Sequence, residues 1–98
     1  MFYAPSSANS YLSADVISAS NTLASTMLSF YCSTTGLANK GVLQDDNMTG
    51  INWCTIPVTI VEMGFMSNPE EDQKMANSEF QAVIAQGLAN GIDAYFGR

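Results

Sequence analysis

The run Pro57-Val58-Thr59-Ile60-Val61-Glu62-Met63-Gly64-Phe65-Met66-Ser67-Asn68-Pro69-Glu70-Glu71 sets the frame for the whole chain. It opens with apolar, β-branched residues, the composition of a buried strand. That strand ends on one carboxylate, Glu62, with Gly64 and a Ser-Asn-Pro helix start behind it. An acid at the carboxyl end of a buried strand, facing a loop, is where α/β folds place working groups, and pattern alone equally allows a solvated strand terminus. Asn68 is placed to cap the next helix, with Pro69 at its first position and Glu71 at its third. The acidic residues Glu70, Glu71 and Asp72 suit the positive end of that helix dipole, so they are read structurally and not as catalysts.

Downstream, a second helix start is expected at Ser78-Glu79-Phe80-Gln81, again as a capping box. Its apolar residues Phe80, Val83, Ile84, Gly87, Leu88, Gly91, Ile92 and Tyr95 recur in steps of three and one, the period of one helical face. Gly87 and Gly91 are expected to let this helix approach the sheet closely, and Gly97 to end it. Upstream, the spacing predicts a helix from about Ser13 to Cys32. Val16, Ile17, Leu23, Ala24, Met27, Leu28 and Tyr31 form its apolar face, and Ser18, Ser20, Asn21, Ser25 and Ser29 its polar face. These polar residues are mediocre helix formers, so packing must hold the helix, with Gly36 as its stop. Phe2-Tyr3-Ala4, halted by Pro5, reads as a strand at the edge of the sheet. Asn39-Lys40-Gly41-Val42 reads as a turn into a short strand, and Leu43 to Trp53 as loop. Trp53 is expected at the margin of the core, with a place in the groove wall as the alternative. Gln44-Asp45-Asp46-Asn47 lacks the alternation and closing Glu of a calcium loop, and a solvated turn is the better reading.

Composition narrows the function classes. The 98 residues allow one folding unit near the small end of what buries its own core. Charged residues make up 12%, about half the usual share of roughly 25%. Three basic against nine acidic residues give a net charge of −6, with no basic cluster, which argues against nucleic acid or an anionic membrane as partner. No apolar run approaches the roughly 18 residues of a membrane span, and no signal peptide is visible in this chain. Cys32 and Cys54 form no CxxC pair and are expected as buried free thiols, with a single disulfide between them as the alternative. There is no histidine at all, and catalytic zinc sites nearly always use it.

The run Val61-Glu62-Met63-Gly64-Phe65-Met66-Ser67-Asn68-Pro69-Glu70 resembles the (L/V)-E-(L/M)-G-F-(L/M)-S-N-P-E signature of the zinc-dependent N-acetylmuramoyl-L-alanine amidases. Phe2-Tyr3-Ala4 resembles the tail of the family's G-x-E-T-Y-Y-Y strand, and Asn39-Lys40-Gly41-Val42 its N-R-G-V turn, with Lys40 for the usual Arg. The resemblance implies an α/β fold, a partial three-layer sheet with flanking helices, in which residues 1–98 correspond to the C-terminal part of the catalytic domain. It implies hydrolysis of the lactyl–L-alanine amide bond of peptidoglycan, outside the cell or in the cell wall, with Glu62 as the catalytic carboxylate. Zinc is the family's cofactor. Its His/Glu/His ligands belong to the family's first half, so this chain alone is expected to bind none and to be inactive. Unpaired strand edges and apolar faces then lead to an expected homo-oligomer, unless the first half comes from another chain. The alternative is a non-catalytic module that keeps the scaffold for cell-wall binding or assembly; retention of Glu62 and its Gly-Phe-Met-Ser-Asn flank favours the enzyme.

Overall fold

A computed structural model describes residues 2–61, 73 and 77–98 of the chain. Its elements are β1 (Phe2–Ala4), α1 (Ala14–Thr35), β2 (Val42–Gln44), α2 (Thr49–Asn52), β3 (Ile60–Val61) and α3 (Ser78–Tyr95). The expected α/β class holds.

Among the described residues the strands form one mixed sheet in the order β2-β1-β3. β1 runs parallel to β2, with Phe2 opposite Val42 and Ala4 opposite Gln44. It runs antiparallel to β3, with Phe2 opposite Val61 and Tyr3 opposite Ile60. This corrects the edge position expected for Phe2-Tyr3-Ala4: β1 is the central strand, and Phe2 and Ala4 are fully buried. Pro5 is compatible with that position because it lies one residue past the paired segment. The strand expected from Pro57 starts later. Among the described residues of that run, Ile60 and Val61 pair, and both are half-buried. Pro57 has no N–H to offer a ladder, and side chains hold the two residues after it. The Val58 N–H donates to Ser20 Oγ at 2.9 Å, and Thr59 Oγ1 donates to the Tyr3 carbonyl at 2.9 Å.

Helix α1 begins where its cap predicts. Ser13 Oγ accepts the Val16 N–H, satisfying a donor that the first turn leaves open. The helix runs three residues past Cys32 and ends on Gly36 at φ 76°, whose N–H reaches back to the Cys32 carbonyl. Ser20 departs from the expected polar face. It is fully buried, because its hydroxyl is the acceptor that holds Val58. Met27, Leu28 and Tyr31 pack with Phe2 and with Ile84 of α3 in the core, where the Phe2 and Tyr31 rings meet edge-on at 5.4 Å. Val42 and Val61 join that cluster from the flanking strands, as their pairing with Phe2 requires. Ile60, one residue out of phase, points to the other face. There a side chain added to Gly50 of α2 would touch it at 3.6 Å. The sheet thus lies between α1 and the short α2.

The second long helix starts one residue earlier than its sequence suggests. Asn77, not Ser78, is the cap, its Oδ1 accepting the N–H groups of Glu79 and Phe80 at 2.9 and 3.1 Å. The two glycines also meet a different partner. A Cβ on Gly91 would lie 2.7 Å from Met27 Cα, and one on Gly87 would lie 3.2 Å from Tyr31 Cα. They seat α3 on α1 rather than on the sheet. Gly97 ends the helix at φ 73° as expected.

Candidate functional site

Glu62, the residue singled out for catalysis, lies outside the described residues, as does the expected helix start from Asn68 to Asp72. The structure places its neighbour Val61 at the end of β3, opposite Phe2. Because β3 is antiparallel to β1, that is the amino end of β1 and β2. The carboxyl ends of those two parallel strands lead instead into two loops, residues 5–13 and 45–48, the second continuing into α2.

These loops are tied together by Asp46. Its carboxylate accepts the Ser6 N–H at 2.9 Å, the Ser6 hydroxyl, and the Asn9 side-chain amide at 2.8 Å. Asn9 is itself buried, and its Nδ2 also donates to Asn52 Oδ1 at 2.8 Å. Its Oδ1 accepts the N–H groups of Tyr11 and Leu12 at 2.9 and 3.1 Å. Asn52 closes the circuit by donating to the Asp46 carbonyl at 2.6 Å. The solvated turn expected at Asp45-Asp46-Asn47 is therefore corrected. Asp46 is the hub joining three segments that sequence reading left separate. The one cue available was the Asn9-Ser10-Tyr11 spacing, which suits an Asx turn.

The Ser6 hydroxyl contributes most, then the Ser6 N–H and the Asn9 amide, in holding the Asp46 carboxyl below its ordinary value of 3.8. A depressed carboxylate stabilises the fold fully above its unfolded-state value. That contribution fades as pH falls below 3.8 and through the lower, folded-state value. Asp46→Asn is therefore expected to be less stable than wild type at pH 6, with the gap narrowing below that range. Urea midpoints at pH 6 and at pH 3 check it; an equal gap at both would contradict it.

Trp53 corrects a second expectation. It is 81% exposed, well outside the core. Nearby, Leu23, Met27, Ile56, Val61, Ile92 and Phe96 contribute to an open apolar groove of about 620 Å³ beside β3 and the end of α3.

Zinc, the cofactor implied by resemblance, is bound in the family by a His/Glu/His set. The chain has no histidine, and among the described residues no three Cys, Asp or Glu side chains come together. Cys32 and Cys54 are free and half-buried rather than fully buried. Burial pushes the Cys32 thiol above its ordinary range, away from the thiolate a metal needs. The Cys54 thiol donates to the Gly50 carbonyl at 2.9 Å.

Comparison with known proteins places these features. The sequence profile described as N-acetylmuramoyl-L-alanine amidase matches residues 4–94. An uncharacterized protein of Bacillus subtilis, YqiI, is 31% identical over 77 residues, covering 79% of this chain and 37% of that protein. The N-acetylmuramoyl-L-alanine amidase AmiA of Salmonella typhimurium is 43% identical over 42 residues, 43% of this chain and 14% of its own length. The crystal structure of an N-acetylmuramoyl-L-alanine amidase from Clostridium difficile 630 superposes with a TM-score of 0.83 at 24% identity, covering 98% of this chain and 47% of that one. This chain thus spans less than half the length of each of these relatives.

Proposed function

The chain belongs to the N-acetylmuramoyl-L-alanine amidase family, which is generally zinc-dependent and acts on the cell wall, and on that premise we propose that it forms the Glu62-bearing part of a peptidoglycan hydrolase. The bond cut is the amide between the muramic acid lactyl group and the first alanine of the stem peptide. The observation that carries this reading is the family match over residues 4–94, which takes in the Val61–Glu70 run. Among the described residues no helix is long and apolar enough to cross a membrane.

Amide hydrolysis requires a group that takes a proton from the attacking water and delivers one to the departing amine. A carboxylate does both, and Glu62 is the residue proposed for it. The chain has no histidine, so the histidine ligands of the metal are assigned to a polypeptide that supplies the remaining part of the family's catalytic domain. Such a polypeptide, or a second copy of this chain, would also cover the apolar groove beside β3.

The test is hydrolysis of a muramoyl-peptide with added zinc, by this chain alone and by its mixture with the first part of a family catalytic domain. Cleavage in the mixture only, with equilibrium dialysis showing the isolated chain to bind far less than one zinc, is the expected result. One zinc per chain with micromolar affinity, or cleavage by the chain alone, would overturn the division of labour. Silence in both from folded protein would favour a non-catalytic wall-binding module.

A further inference from the structure

We propose that Tyr11 and Trp53 form a stacking platform for the glycan strand of the substrate, a sugar-binding subsite separate from the reacting bond; this rests on the peptidoglycan reading above. Both rings are largely in solvent, Tyr11 at 69% and Trp53 at 81% exposure, and neither serves the core. Yet the backbone carrying them is held firmly. Asn9, buried between the two loops, accepts the Tyr11 N–H with its oxygen and donates to Asn52, the residue before Trp53, with its nitrogen. One amide side chain thus bridges the two aromatic positions. Asp46 holds that amide in turn. Anchoring of this kind reduces the ordering cost of binding, and Tyr and Trp offer wide, rigid contact area for little lost side-chain entropy.

The position is also one where α/β sheets meet ligands. Tyr11 lies on the loop after β1, and Trp53 directly follows α2, which the loop after β2 feeds. β1 and β2 are parallel neighbours, and open sheets place ligand contacts outside the carboxyl ends of such strands. Val61 lies at the opposite end of β1, beside Phe2.

The chemistry favours a sugar over a protein partner. An aromatic face is electron-rich and attracts the positively polarised C–H groups on the flat side of a pyranose ring. Among the exposed residues close to the two rings in sequence, Ser7, Ser10, Asn47 and Thr55 carry neutral hydroxyls and amides, and Ala8 and Ile56 are apolar. The polar ones match the hydroxyl and acetamido groups around an amino sugar and interrupt the continuous apolar area that a protein-docking patch presents.

Trp53 is the only tryptophan, so its fluorescence reports this site alone. Titration with a soluble β-1,4-linked tetramer of N-acetylglucosamine is expected to shift Trp53 emission to the blue and shield it from acrylamide. Tyr11→Ala should weaken that binding roughly tenfold, the size of one ring-stacking contact. Trp53→Ala, with an unchanged urea midpoint, should reduce the fraction of protein that sediments with purified sacculi. Emission that does not respond, together with equal sedimentation of wild type and Trp53→Ala, would overturn the subsite while leaving the amidase reading in place. Wild-type protein that neither sediments with sacculi nor contributes to their cleavage would overturn both.

Discussion

Gly91→Val is expected to lower the stability of this protein by about 3 kcal/mol or more, because overpacking a fixed contact costs typically 1–3 kcal/mol and a branched side chain adds to it. A Cβ at this position meets Met27 Cα at 2.7 Å, a backbone atom in the middle of α1 that no rotamer change can move away. The helices must separate, which opens the Met27–Leu28–Tyr31–Ile84 core. Even Gly91→Ala is expected to lose. Alanine gains about 1 kcal/mol of helix propensity over glycine, and the clash exceeds that. Gly87 is the internal control. There the approaches are 3.2 Å to Tyr31 Cα and 3.3 Å to Thr34 Cβ, so a small adjustment suffices and propensity roughly offsets the strain in Gly87→Ala. Urea denaturation ranks the three variants. With total stabilities of about 5–15 kcal/mol for native domains, the valine variant should unfold at a markedly lower midpoint. Equal midpoints for Gly91→Ala and Gly87→Ala would contradict the packing described here.

Local signals in the sequence carried far, and the failures share one cause. The Ser13 cap, the Gly36 and Gly97 stops and the apolar spacing of both long helices depend on neighbours within a turn or two, and they are found in place except at Val83 and Ile92, which lie on the rim of the α3 face and are exposed. What misled were residues whose partners lie far along the chain. Phe2–Ala4 pairs with strands some 40 and 58 positions away, so its central place depends on topology that three residues cannot encode. Ser20 looks like a surface residue until Val58 arrives to use its hydroxyl, and Gly87 and Gly91 do not reveal whether helix or sheet sits above them. Trp53 was expected near the core on the strength of its apolar ring, but that preference runs one way only: the interior is apolar, while much of the surface is too. Asp46 and Asn9 were invisible as a pair because hydrogen bonds 37 residues apart leave no periodic trace. The family, by contrast, was legible from ten consecutive residues, and the match over residues 4–94 agrees with it.

Those ten residues include Glu62, on which the proposed chemistry rests. Glutamine has the size and shape of glutamate, but one of its two acceptors becomes a donor, and at neutral pH it can neither take up nor release a proton. Glu62→Gln should therefore leave folding and sacculus binding intact while removing the proton transfer, a step worth about 10²–10⁴-fold in rate. The loss should appear in kcat, because an interaction made only on the way to products does not change how tightly the substrate is held. Loss of binding along with rate would instead point to a structural role for the side chain.

The decisive measurement is the rate of muramoyl-peptide cleavage by the reconstituted, zinc-supplied assembly, made once with the wild-type chain and once with its Glu62→Gln variant. The variant should be slower by at least about 100-fold, at unchanged urea midpoint and unchanged sacculus binding. Cleavage at the wild-type rate would refute the role given to Glu62 and move proton transfer to another residue.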